Sequence, residues 1–237
     1  MATNRKEFIE ASLKLAMVGS IAGMGTLVSC GKKEDSDEEG QEVSPPEDLM
    51  QEHGLLNRIL LIYDNCRTNL TNKQSFNLQS LASAAGIIRT FVEDYHEKQE
   101  EQYLFPRFRK ANQLTDLVDI LLQQHQVGRR ITDQVMQLTK SQNPTEVETQ
   151  QLIALLEKFN RMYRPHEARE DTVLFPALHK VVSKHEYDAM GEQFEGIERK
   201  TFGGDGFDMA VDKVTELEKQ FGIYDISQFT PTLPPTK

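Results

Sequence analysis

The sequence predicts an all-α protein: an up-down-up-down four-helix bundle with additional short helices at its C-terminal end. Three observations carry this. Apolar residues recur at helical spacing through four long stretches, and no stretch carries a strand pattern. The joints between those stretches are only a few residues long, so neighbouring helices run antiparallel. The segment HEKQEEQYLFP at His96–Pro106 returns as HEAREDTVLFP at His166–Pro176, which divides the core into two copies of one unit.

The first helix is expected from about Glu47 to Leu70, with Leu49, His53, Leu56, Leu60 and Tyr63 on one face. A turn at Asn69–Asn72 leads to a second helix, about Ser75 to Lys110, whose stripe is Leu78, Leu81, Ala85, Ile88, Val92 and Tyr95. The third runs from about Thr115 to Lys140 and buries Val118, Leu121, Leu122, His125, Ile131, Val135 and Leu138. Asn143-Pro144-Thr145-Glu146 reads as a cap, a first-turn Pro and an acidic third position. The fourth helix it opens carries Leu152, Leu155, Leu156, Phe159, Tyr163, His166 and Glu170 along one side. Pro106 and Pro176 are expected to kink or end their helices, and Pro165 to break the fourth locally. Ser183-Lys184-His185-Glu186 is a capping box for a short fifth helix to about Glu198. Glycines at 203, 204 and 206 separate it from a sixth, marked by Val211, Val214, Leu217 and Phe221 and stopped by Gly222.

The expected organisation is a signal peptide at 1–29, a lipidated Cys and acidic linker at 30–46, the bundle at 47–181, and a C-terminal helical extension and tail at 182–237. Asn4-Arg5-Lys6 precedes an apolar stretch that ends in Leu27-Val28-Ser29-Cys30. That pattern is a secretory signal whose end resembles a bacterial lipobox, with Cys30 as the lipidated residue. The start also resembles a twin-arginine export signal, with Lys6 in place of the second Arg. The expected address is the bacterial cell envelope, as an exported lipoprotein held on the membrane through its N-terminal lipid. The acidic run in the linker reads first as a solvated tether and, as the alternative, as a sorting signal; the outer membrane or cell surface is expected over the inner membrane. With Cys30 assigned to lipid, Cys66 has no intrachain partner and reads as a small core residue. The chain has 237 residues, 38% of them hydrophobic, and a net charge of −10. That charge gives no electrostatic support to a nucleic-acid partner, and nothing specifies a protein partner.

The repeat carries chemistry. His53 and His125 are lone histidines in similar surroundings, with Gln51, Arg58 and Ile59 recurring as Gln123, Arg130 and Ile131. Each is followed by a His-x-x-x-Glu: His96 with Glu100, and His166 with Glu170. Residues four apart share a helix face, so two such units facing each other would place four His and two Glu in one interior. The bland alternative is a buried ion-pair network without metal. Four histidines and two carboxylates in register favour a metal site, because unpaired polar groups are costly to bury. Mixed imidazole and carboxylate ligands suit iron, manganese or zinc, and a bis-His haem would leave both Glu unexplained. His179 and His185 lie outside the pattern and read as surface or supporting residues.

These residues, with the Leu-Phe-Pro endings, resemble the hemerythrin-like, or HHE cation-binding, family over about residues 47–181. The resemblance implies a non-haem di-iron centre, two irons per chain, inside the bundle. His53 and His96 would hold one iron, His125 and His166 the other, and Glu100 and Glu170 would bridge. Oxygen-carrying members have a second His four residues after the first in helix three, where this chain has Arg129. They also place an Asp five residues after the helix-four His, a spacing that Asp171 meets; Glu170 is preferred because it matches Glu100. A centre one His short would be completed by Glu97, Glu167 or Tyr163, although the two Glu read more simply as a solvated face. The open position would admit water, O2, peroxide or nitric oxide. Sensing, scavenging or redox turnover is therefore expected over simple oxygen carriage. The alternatives are a di-iron oxidoreductase and an interaction module whose C-terminal helices dock a partner.

Overall fold

The computed structural model describes residues 43–141 and 143–233. The signal segment, Cys30 and most of the acidic linker lie outside them. The described residues are helical, with no strand among them, as the periodicity predicts. Helix α1 spans Pro45–Thr71, with Pro45 and Pro46 in its first turn and the Glu47 carboxylate accepting the Ser44 backbone N–H at 3.0 Å. Helix α2 is one continuous path over residues 78–110, and α3 spans Thr115–Leu138. Helix α4 runs over residues 146–177 and ends in a tight turn at Leu178–Lys180. Its cap, Thr145, lies two residues beyond the expected Asn143. Thr145 accepts the Glu148 N–H while Glu148 accepts the Thr145 N–H, which satisfies two end donors reciprocally. Each helix packs on its chain neighbours, and α4 closes the ring against α1.

Two proline expectations need correction. Helix α4 continues through Pro165, which lies on the exposed face, where water can serve the carbonyl that loses its donor. Pro106 does not stop its helix, which continues to Lys110, whereas α4 ends one residue beyond Pro176, at Ala177, as expected. Each follows a wide π-helical turn, Glu100–Leu104 and Glu170–Leu174. The N–H of Phe105 reaches the carbonyl of Glu100, and that of Phe175 the carbonyl of Glu170, both five residues back. A proline ring clashes with the carbonyl four residues behind it in an ordinary α-helix; the extra residue in the turn carries the chain past that conflict. A third π segment, Ile88–His96, leads into the other end of the α2 site region.

Helix α5, Lys184–Phe202, has the Ser183 capping box that was expected. Helix α6, Gly206–Gln220, is capped by Asp205 and followed by Gly222 in the left-handed region at φ +68°. Both lie on the bundle. Arg58 of α1 donates to both carboxylate oxygens of Glu218, at 2.9 and 2.6 Å. Phe202 packs against Phe91 and Tyr95 of α2.

The core is two apolar clusters with a polar layer between them. One cluster holds Leu56, Tyr63, Val92, Ile131 and Phe159; the other holds Leu49, Leu104, Phe105, Leu121, Leu174, Phe175 and Phe194. Every bundle helix contributes to both, and His53, His96, His125 and His166 fall between those contributions along their helices. Cys66 is buried in the first cluster, as expected, and burial pushes its thiol up. Leu122 and Leu138 are only half-buried, so the α3 stripe is narrower than predicted. Among the described residues no helix is long and apolar enough to cross a membrane.

Candidate metal centre

All six residues singled out by the repeat meet in the polar layer. His53, His96, His125 and His166 are buried, and Glu100 and Glu170 have no exposed surface. They close a ring. The Nε2 atoms of His53 and His96 face each other at 3.1 Å, and those of His125 and His166 at 3.2 Å. Glu100 Oε2 lies 3.7 Å from His96 Nε2 and 3.4 Å from His125 Nε2. Glu170 Oε2 lies 3.4 Å from His53 Nε2 and 3.1 Å from His166 Nε2. Each carboxylate therefore touches both histidine pairs. Asp171 does not enter this ring: its Oδ1 sits 2.7 Å from His53 Nδ1, on the outer side.

The outer nitrogens explain how the rings are aimed. His96 Nδ1 lies 2.7 Å from Glu52, His166 Nδ1 2.8 Å from the Gln124 amide oxygen, and His125 Nδ1 3.2 Å from Glu101. With each Nδ1 as the donor to these oxygens, every Nε2 presents a lone pair inward. The four carboxylate oxygens of Glu100 and Glu170 have no hydrogen-bond donor among the described residues. Four lone pairs and two carboxylates converging in a buried layer are a donor set without an acceptor. A cation supplies what they lack, and the residues present fit metal ions. Among the described residues, three triads lie close enough to share an ion: His53-His96-Glu100 and His125-His166-Glu170 in the ring, and Glu97-Glu101-His125 behind it, where Arg129 already pairs with both carboxylates.

Without a cation the electrostatics are strongly perturbed. Burial and the nearby Glu170 push the Glu100 carboxyl well above the usual range. Burial also opposes ionisation of Glu170, but His166 and His53 outweigh it and hold that carboxyl well below the usual range. Burial would lower the His53 imidazole, yet Asp171 and Glu170 raise it to about 10. Burial and the neighbouring His53 hold His96 well below its ordinary value.

The Leu-Phe-Pro endings have a structural role that the sequence reading did not find. Phe175 stacks on His53 with ring centroids 5.4 Å apart, and Phe105 stacks on His125 at 5.6 Å. Each copy's Phe thus covers the lone His of the other half and keeps that side apolar.

Glu97 and Glu167 are buried, which overturns the expectation of a solvated face. Glu97 accepts from the Tyr163 hydroxyl and from Arg129, each at 2.6 Å. Glu167 accepts from Asn57, and burial raises its carboxyl to about 8. Arg129 turns inward and also reaches Glu101 at 2.7 Å. Burial alone would raise Glu101; hydrogen bonds from His125, Lys98 and Arg129 outweigh it and hold that carboxyl at about 2. Arg129 therefore pairs with the carboxylates behind His125. His179 and His185 are exposed, the first in the turn that ends α4 and the second in the first turn of α5.

The repeat register was the signal that could have found the outer residues. Glu52 and Gln124, Glu101 and Asp171, Glu97 and Glu167, and Asn57 and Arg129 each occupy matching positions in the two copies.

Residues 44–178 match the family model of the hemerythrin HHE cation-binding domain. Uncharacterized proteins of Mycobacterium bovis and Mycobacterium tuberculosis are each 42% identical over 241 aligned positions, which cover 98% of this chain and 92% of theirs. No solved structure matches the chain significantly.

Proposed function

Because the chain belongs to the hemerythrin HHE cation-binding domain family, a metal-binding family typically associated with iron, we propose that it holds a non-haem di-iron centre and engages O2 or a related small oxidant. His53 and His96 would hold one iron, His125 and His166 the other, and Glu100 and Glu170 would bridge. One observation carries this reading: each buried carboxylate faces one histidine of either pair, at 3.1–3.7 Å, with no hydrogen-bond donor of its own. When bound, the iron pair supplies reversible one- and two-electron chemistry toward O2, peroxide or nitric oxide.

The protein's own residues set the conditions for that chemistry. The two apolar clusters exclude water from both ends of the layer. Phe105 and Phe175 cover the lone histidines, and the outer carboxylates and Gln124 fix the ring orientations. Arg129 stands where oxygen carriers have a further histidine, and its guanidinium is engaged by Glu97 and Glu101, so it does not replace that ligand. This supports sensing, scavenging or redox turnover over simple carriage.

The lipobox form of Leu27–Cys30 supports placing the protein in the bacterial cell envelope, anchored through lipid on Cys30. Cys30→Ser should release it from the membrane fraction or block processing; an intact signal segment by mass spectrometry refutes that address.

Anaerobic loading with Fe(II), followed by optical spectra on adding O2, peroxide or nitric oxide, tests the functional reading. Iron-dependent spectral changes with at least one of these are expected. Iron-loaded protein that stays spectrally silent to all three contradicts it. Many cycles of O2 binding and release without oxidation would restore simple carriage.

A further inference from the structure

We infer that the two metal positions are inequivalent, and that the His53/His96 position is the tighter one because of the residues behind its histidines. This rests on the two-metal reading above. The inner ligands do not distinguish the positions, since each has two imidazoles and a share of two carboxylates. The difference lies one layer out, where the repeat places matching positions with non-matching chemistry.

Behind His96 stands the carboxylate of Glu52 at 2.7 Å; its counterpart behind His166 is the neutral amide oxygen of Gln124 at 2.8 Å. Behind His53 stands the Asp171 carboxylate at 2.7 Å. Its counterpart behind His125, Glu101, is farther away at 3.2 Å and is countered by Arg129 at 2.7 Å and Lys98 at 2.6 Å. Asn57, which faces Glu167, is neutral, whereas its counterpart Arg129 is a cation. Every one of these differences has the same sign. The His53/His96 side has two carboxylates bonded to its imidazole N–H groups. The His125/His166 side has an amide and a carboxylate held by two cations.

A carboxylate accepting from Nδ1–H makes the opposite nitrogen a stronger donor, and such outer partners change metal affinity about 10–100-fold. The first ion therefore enters at His53/His96. The ion at His125/His166 is held more weakly and remains the more electrophilic of the two. Glu52 and Gln124 act as positioning residues that set this order.

The test is anaerobic titration of the protein with 57Fe(II), read by competition with a chelator and by Mössbauer spectra of partly loaded samples. Two binding steps about tenfold or more apart are expected, with one quadrupole doublet dominant at one ion per chain. Glu52→Gln should weaken the first step about tenfold and leave the second, so that both doublets grow together. Gln124→Glu should tighten the second step by a similar factor. A general structural role would not give shifts of opposite sign on different steps, and circular dichroism checks that each variant folds; the second variant stands alone if the first does not. Equal population of both doublets in the parent at one ion per chain, or equal effects of either variant on both steps, overturns the inference. Saturation at one ion per chain instead overturns the two-metal reading on which it rests.

Discussion

Gly128 lies on α3 between His125 and Arg129, and replacing it with Ala exposes how tightly the layer behind the metal site is built. A Cβ added there would stand 2.1 Å from the Tyr163 hydroxyl and 2.9 Å from two of its ring carbons. The first distance is far inside contact, and Tyr163 cannot simply swing away. It is buried, stacked on Phe159 at 4.3 Å, and its hydroxyl donates to Glu97 at 2.6 Å. Gly→Ala in a helix normally stabilises by about 1 kcal/mol. Here overpacking costs about 1–3 kcal/mol, and loss of a buried hydrogen bond to a carboxylate costs about 1.5–3 kcal/mol more. The net expectation is destabilisation of about 3 kcal/mol, or roughly 6–12 °C in melting temperature for a domain of this size. Urea unfolding of Gly128→Ala in the parent and in a Tyr163→Phe background measures it. Removing the hydroxyl abolishes the shortest contact, so the Ala substitution should cost less than half as much there. A stabilised Gly128→Ala protein, or equal cost in both backgrounds, refutes the packing described.

Phe175→Ala should destabilise by about 3–5 kcal/mol, because it empties a buried site and uncovers His53; a change under 1 kcal/mol in urea unfolding would contradict the stacking role. Burial raises the Glu93 carboxyl to about 7, against the lowering effects of Thr132, Arg89 and Arg129. Its folded value exceeds its unfolded one, so its contribution is fully present below about pH 4.5 and is lost as pH rises through 7. The stability of the parent relative to Glu93→Gln should therefore fall across that window, at a limiting slope of roughly 1.4 kcal/mol per pH unit; a flat difference would contradict it. For Glu101, held at about 2, the sign is opposite. Its contribution is present above about pH 4.5 and is lost as pH falls through 2, so Glu101→Gln should lose its deficit relative to the parent in acid, as read by the same unfolding series.

The bundle was legible because its signals are local and repeated. Helical periodicity at Leu78, Leu81, Ala85, Ile88, Val92 and Tyr95 matches the buried face of α2, and the Ser183 and Gly222 signals mark real helix limits. The gathering of four histidines and two glutamates followed from the internal repeat, since i, i+4 spacing fixes a face whatever the tertiary contacts. What was not legible depends on where side chains meet across helices. Glu97 and Glu167 look like solvated carboxylates until Arg129, Tyr163 and Asn57 are brought against them from other helices. The stacking of Phe105 and Phe175 was hidden because their partners, His125 and His53, lie in the other half of the repeat. Pro106 misled for a different reason. A single residue added to a helical turn removes the clash that normally makes Pro a breaker, and that turn has no simple sequence signature. The Asn143 cap lost to Thr145 because Thr-x-x-Glu satisfies two end donors at once.

The most direct test of the di-iron proposal is metal content per chain after anaerobic reconstitution with Fe(II) and removal of excess, for the parent and for the Glu100→Ala, Glu170→Ala double variant. A parent value close to two irons per chain is expected, with most of the metal lost in the double variant. A parent that holds one iron or none, or a double variant that holds as much as the parent, would contradict it.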